Sequence, residues 1–289
     1  MLAVYKREFR SYFQSMIGYV FLSCVLAFIG IYFLSFNLLG GYPFYSYVMA
    51  SGASTIFMFM VPILTMKSFA EERKAKTDQM LLTAPVSVTQ IVLGKYFSMM
   101  SIVAIALLIC SLCPLVIATT GNSYLATDYA TIFAFFCMAG LYVSIGMFIS
   151  SCTENQIISA VLSFIVLIVL YLWDTIVGYI PETEFASMVG FLILTLILSA
   201  MIYAISKNGL LTLIIGGVGI VVDVIWYLVQ PSSFGGLINK VLSIFSCNEI
   251  VNNFAYYSVF DFGGLFYYIS VSALFVFLTC QMIQKRRWS

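Results

Sequence analysis

Hydrophobic residues fall along this chain in long unbroken blocks, not in the alternation of a strand or the single stripe of a soluble helix. A bilayer core takes about 20 apolar residues per helix. Eight blocks approach or exceed that length, roughly 17–38, 48–66, 91–117, 129–150, 157–177, 188–206, 210–229 and 263–282. They predict an all-α polytopic membrane protein with about eight transmembrane helices. Pro62 and Pro114 fall inside the second and third blocks and predict kinks there. Only Lys207-Asn208-Gly209 separates the sixth and seventh blocks, a turn signal that predicts a tight helical hairpin over 188–229.

Before the first block the period changes. Leu2, Tyr5, Phe9, Tyr12, Phe13 and Met16 recur every three or four residues, with Lys6, Arg7, Arg10, Ser11 and Gln14 opposite. This pattern predicts an amphipathic interfacial helix over 1–16. Acidic Glu8 within the basic stretch, and no small-x-small site after the apolar run, argue against a cleavable leader. Residues 231–262 are the largest outer feature. Phe234, Leu237, Ile238, Val241, Leu242 and Phe245 recur at helical spacing, and Phe254, Tyr256, Tyr257 and Phe260 follow as an aromatic belt. That segment is expected to be interfacial or re-entrant. Residues 1–289 are read as a single transmembrane domain.

Composition agrees and excludes more. Of 289 residues, 62% are hydrophobic and 9% charged, against about 25% charged in an ordinary soluble domain. The absence of histidine removes His-based triads and HExxH metal sites. A net charge of +1 gives no basis for binding nucleic acid. Six of the seven cysteines lie in or at the ends of apolar runs, so neither a disulfide framework nor a metal site is expected. Cys110-x-x-Cys113 falls inside an apolar helix and is read as packing.

Charge orients the chain. With the N-terminus inside, twelve of the 13 Lys and Arg residues fall on inner segments, and only Lys240 lies outside. Asp128, Asp174, Glu182, Glu184, Asp223, Glu249 and Asp261 lie outside or in the outer halves of spans. Both termini are therefore expected in the cytoplasm, with the chain multi-pass in the cell membrane.

The largest inner feature is the loop 67–85. Residues 71–79 carry three acids and three bases, the polarity stops at Met80-Leu81-Leu82, and Pro85 ends the segment. Ser87-x-x-Gln90 is a capping box that starts the third span, and Thr153-x-x-Gln156 is a second one before the fifth. A polar helix ending in an apolar plug suits docking on a partner; a solvated helical loop is the plainer reading.

Glu71-Glu72-Arg73, Thr77, Leu81-Leu82-Thr83-Ala84-Pro85-Val86-Ser87 and Ile91-Val92-Leu93-Gly94-Lys95 resemble the first cytoplasmic loop of ABC-2 type transporter permeases. The opening Tyr5-Lys6-Arg7-Glu8-Phe9-Arg10 and the closing Tyr267-Tyr268-Ile269-Ser270 through Arg286-Arg287-Trp288 resemble the gliding-motility and nitrous-oxide-reductase-maturation type. The likeness covers 1–177 and 245–289. Spans six and seven lie outside it, as a hairpin added to a six-span core. The resemblance implies that the loop after span two is a coupling helix seated in a separate ATPase subunit. It would run from Phe69 to Leu82, with Glu71, Glu72 and Arg73 at its polar contact and Thr77, Leu81 and Leu82 farther along. It also implies a lesser contact near Glu154.

The chain carries no G-x-x-x-x-G-K-[ST] motif, so it is expected to hydrolyse no ATP itself. ATP and Mg would be bound by the partner ATPase, and no cofactor by this chain. The resemblance further implies an exporter, with two permease copies or a related second permease, surrounded by membrane lipid. Asp174 and Asp223 are the acids set well inside apolar runs and mark a polar site within the membrane. Two intramembrane aspartates leave open an ion-coupled secondary transporter. They also evoke an aspartyl protease, but no Gly-x-Gly-Asp occurs around Asp223.

Overall fold

The computed structural model describes residues 1–76, 87–119, 123–207 and 209–288. Every assigned element among them is helical. The chain divides into two compact units, Met1–Tyr171 with Cys247–Ser289, and Leu172–Ser246.

In the first unit, α1 (Leu2–Gln14) leads through a turn at Met16, whose φ of 60° is left-handed, into α2 (Ile17–Phe33). A π-helical stretch, Leu34–Leu39, extends α2. There the Asn37 amide turns inward and donates to the carbonyls of Tyr42 (2.8 Å) and Phe44 (3.1 Å), so the loop's backbone acceptors are met by a side chain. α3 (Ser46–Val48) continues through a π segment, Met49–Ala53, into α4 (Ser54–Thr65), and α5 (Ala70–Lys74) follows. Next come α6 (Val88–Cys110), α7 (Cys113–Ala118), α8 (Leu125–Cys152) and α9 (Gln156–Tyr171). α14 (Asn248–Ala255) and α15 (Phe262–Trp288) complete the unit.

α8 is buried over most of its length. Small residues along it let its neighbours approach, which is how helices gain packing energy where lipid removes the hydrophobic drive between them. At Gly146 a Cβ would stand 2.3 Å from Thr65 Oγ1 and 2.9 Å from Thr65 Cβ, so α4 and α8 touch there almost backbone to backbone.

The second unit holds α10 (Trp173–Gly178), α11 (Glu184–Ser206), α12 (Gly209–Val229) and α13 (Leu237–Ser243). Thr183 Oγ1 caps α11 by accepting from Ala186 N, and Lys207 ends it in the left-handed region at φ 51°. α11 and α12 pack antiparallel, Gly216 against Ser199 and Gly219 against Thr195. Phe234 is buried among Phe191, Trp226 and Tyr227. Asn239 Nδ2 donates to Ile180 O, and Trp173 Nε1 to Leu242 O.

Seven helices among the described residues are long and apolar enough to cross a membrane. The chain is a multi-pass membrane protein. The difference from eight lies at the expected span 157–177. There α9 has 16 residues, about 24 Å at 1.5 Å per residue, short of the roughly 30 Å core. Leu172 leaves helical geometry (φ −84°, ψ 0°) and α10 restarts after it. The third block also differs in detail. Pro114 does not kink a continuous helix; it sits in the first turn of α7, where its missing N–H costs nothing.

Candidate functional site

The expected coupling residues Phe69–Arg73 stand at one end of the first unit, where α1, α5, α6 and the end of α8 converge. α5 begins without a side-chain cap of its own. α8 supplies one: Ser150 Oγ accepts from the backbone N–H of Phe69 and of Ala70, each at 3.2 Å, and is placed to donate to Met66 O. Two otherwise orphaned helix donors are thus satisfied from a different element. Arg73 reaches the same end of α8 and donates from Nη1 to Thr153 O at 2.6 Å.

At the centre stands Lys95 of α6, with a side chain only 2% exposed. A buried ammonium needs both charge and hydrogen-bond partners, and this one has them. Its Nζ lies 3.0 Å from Glu72 Oε1, 3.3 Å from Glu8 Oε2 and 2.7 Å from Ser68 O, to which it donates. The Phe69 ring lies 5.0 Å from the same nitrogen, within the range of a cation–π contact. Arg7 Nη2 bridges the two acids, 2.6 Å from Glu8 Oε1 and 3.0 Å from Glu72 Oε1. Burial pulls on the Arg7 guanidinium, but Glu8 and Glu72 outweigh it and hold its pKa above the ordinary value.

Lys67 and Glu71 form an (i, i+4) pair at 3.4 Å on the rim. Three bases face three acids around a polar cavity of about 470 Å³. The charges are locally neutral, so mutual attraction offsets much of their desolvation. Beneath them Tyr12, fully buried, donates to Leu64 O at 3.2 Å. Burial first, then the charges of Glu8, Glu72 and Glu71, pushes its phenol well above the usual range.

The structure therefore divides the expected residues. Phe69 is 7% exposed and packed inward. Glu72 and Arg73 are committed within the chain, whereas Glu71, 45% exposed, faces outward beside Lys67. Glu154 is exposed at the foot of α8. Thr77, Leu81 and Leu82 lie outside the described residues. Lys95, Glu8, Arg7 and Ser150 were not singled out by sequence reasoning. The available signal was a lysine at the eighth position of a helix with apolar neighbours, which demands a partner.

At three further places the structure corrects or extends the sequence reading. α1 does not rest its apolar face on a membrane surface alone; it packs on α6, with Tyr5 Oη 2.9 Å from Ser101 Oγ and Val4 against Gly94. Thr153 does not cap α9. Its hydroxyl donates back to Ile149 O, and Asn155 Oδ1 takes the capping bond from Ile157 N at 2.9 Å. Asp128, read only as an acid lying outside or in the outer half of a span, is completely buried. It accepts from Ser46 N at 2.8 Å, while Ser46 Oγ donates to Ala255 O, joining α3, α8 and α14 at the opposite end from Lys95. Of the intramembrane acids, Asp174 is hydrogen-bonded to Ser246. Asp223 Oδ2 has no hydrogen-bond partner among the described residues.

Among the described residues the cluster is a network of ion pairs and hydrogen bonds. It is a mechanical junction, in which one buried cation ties an N-terminal helix, a loop helix and a long span together. No curated protein and no solved structure gives a significant match to the chain. The family described as ABC-2 family transporter protein matches residues 36–181, half of the chain, including α5 and the close-packed α4, α6 and α8. Members of that family are membrane subunits that generally work with an ABC ATPase and are not themselves the ATPase. With that match, and with seven membrane-length helices among the described residues, the chain belongs to the ABC-2 transporter family as a membrane-embedded subunit.

Proposed function

We propose that this chain is the permease of an ATP-driven exporter of the gliding-motility and nitrous-oxide-reductase-maturation type. In this reading both termini and α5 face the cytoplasm of the cell membrane, which requires residues 156–178, α9 and α10 in succession, to make the crossing that α9 alone is too short for. The segment Phe69–Leu82 docks on a separate ATPase that binds ATP and Mg, and two permeases, alike or related, work as a pair. The observation that carries the reading is the Lys95 junction. It fastens α5 to α1 and α6 through a buried ion cluster, while Ser150 and Thr153 fasten α5 to α8. A push on the loop from a closing ATPase would then be transmitted to α4, α6 and α8 as one body, because packed cores move in discrete steps and do not yield continuously.

The test is co-purification of the ATPase with the tagged permease, alongside transport in vesicles. L81E/L82E should lose the ATPase while the permease still inserts into the membrane and purifies. Retention of the ATPase together with normal transport would remove this loop as the coupling element. The ion-coupled alternative predicts instead that D174N/D223N abolishes transport; the present reading predicts that transport persists.

A further inference from the structure

A second cavity, of about 720 Å³, lies in the first unit between α6, α8 and α15. That size falls within the roughly 300–1,000 Å³ of ordinary ligand sites. Its existence has a local cause. Gly140 of α8 carries no side chain where a Cβ would meet Tyr96 Oη at 2.8 Å and Met100 Cε at 3.3 Å. Tyr96 instead donates to Gly140 O, and on the facing side α15 offers only Ser272 and Ala273. Gly140, Ser272 and Ala273 leave the space between the helices unfilled, and a slot results.

The slot is chemically asymmetric. Met100, Phe133, Phe136, Val276 and Phe277 give its length an apolar wall. One end is polar, where Thr89 in the first turn of α6 faces Gln281 and Gln284 near the end of α15. Lys285, exposed, is four residues beyond Gln281 and so shares its helix face. Arg286 and Arg287 follow. An apolar channel whose polar end is lined by Thr89, Gln281 and Gln284, with exposed Lys285 next in sequence to that lining, fits an amphiphile with one anionic end. A neutral helix from a second copy would leave the polar end unanswered, and a sugar would strand its hydroxyls along the wall.

We propose that this groove is a binding site for one anionic phospholipid, an acyl chain lying against Met100 and Phe277 and the phosphate held between Thr89, Gln281 and Lys285. Basic pockets between membrane helices attract such headgroups by the same physics. The leaflet from which the lipid comes rests on the orientation proposed above; the site itself does not.

The test is native mass spectrometry of the delipidated full chain titrated with phosphatidylglycerol, phosphatidylcholine or inorganic phosphate. Wild type should bind phosphatidylglycerol saturably at one per chain, in preference to phosphatidylcholine. Ala273→Trp and, independently, Val276→Trp fill the groove and should weaken that binding about tenfold. Their thermal unfolding in lipid-free micelles checks that they fold. Lys285→Glu should abolish the headgroup preference while leaving lipid binding in place. Four results would overturn the proposal. These are undiminished binding by both tryptophan variants, non-saturating uptake, phosphate alone competing as well as phosphatidylglycerol, or loss of a permease pair in A273W with lipid binding unchanged. None of these outcomes touches ATPase co-purification, so the coupling reading stands or falls separately.

Discussion

Lys95 Nζ lies 3.0 Å from Glu72 Oε1, although one residue sits inside a long apolar helix and the other on a loop helix before it. The pair converts a charge that would be costly within the membrane-facing bundle into a fastening between two elements. Glu8 and Arg7 extend that fastening to α1.

Removing the cation should therefore cost more than removing the cluster. Breaking a buried pair by deleting one partner costs about 3–5 kcal/mol, because the other charge stays buried and unpaired. Lys95→Met is expected to lose stability on that scale by thermal or denaturant unfolding in detergent. The triple variant K95M/E8Q/E72Q should recover a good part of the loss. A triple variant less stable than K95M would show that the acids are satisfied by water.

The two neighbouring glutamates should behave differently. Glu72→Lys places a second cation against Lys95 and Arg7 and should lower the unfolding temperature before any partner is considered. Glu71 is 45% exposed and pairs only weakly with Lys67 across the rim. Glu71→Lys should leave unfolding nearly unchanged and act on ATPase co-purification alone. Equal destabilisation by the two reversals would contradict the geometry of the junction.

Close approach of α4 and α8 makes Gly146 intolerant. Gly146→Ala brings a Cβ to 2.3 Å from Thr65 Oγ1 and should destabilise by about 1–3 kcal/mol, the usual cost of overpacking. Gly30→Ala on α2, where a Cβ meets nothing within 4 Å, is the matched control and should be neutral or slightly stabilising. Unfolding of both variants side by side reads the difference.

Thiol labelling maps the sidedness. Cys247 is 1% exposed and its carbonyl accepts from the Tyr268 hydroxyl, so the native thiol should stay unmodified from either side. Cys152, exposed at the end of α8, should react only after the membrane is opened. Lys240→Cys should react in intact cells and Lys207→Cys should not, both in a background lacking Cys152. Labelling at position 207 from outside would reverse the proposed orientation.

How much of this was legible beforehand follows from the range of the forces involved. The spans were, because about 20 consecutive apolar residues carry their own reason to be helical in lipid: every backbone polar group must be satisfied within the segment. The start of α6 was legible for the same local reason, as Ser87 Oγ does accept from Gln90 N. The break at Leu172 was not. Leu172 is as apolar as its neighbours, and nothing in the hydrophobic pattern marks the place where helical geometry is left.

The site divides along the same line. By itself the sequence determined that 67–85 is a charged segment between two spans and that Lys95 is a cation near the end of the second of them. Only the tertiary structure decided which charges are outward and which are spent within the chain. Glu8 and Glu72 are 64 residues apart in sequence yet share one ammonium and one guanidinium. Ser150 reaches back some 80 residues to cap α5. Likewise Asp128, an unremarkable acid in the outer half of a span, turned out to be buried against Ser46 N. Pairing energies of this kind depend on distance and burial, not on residue type, so they exist only once the helices have packed.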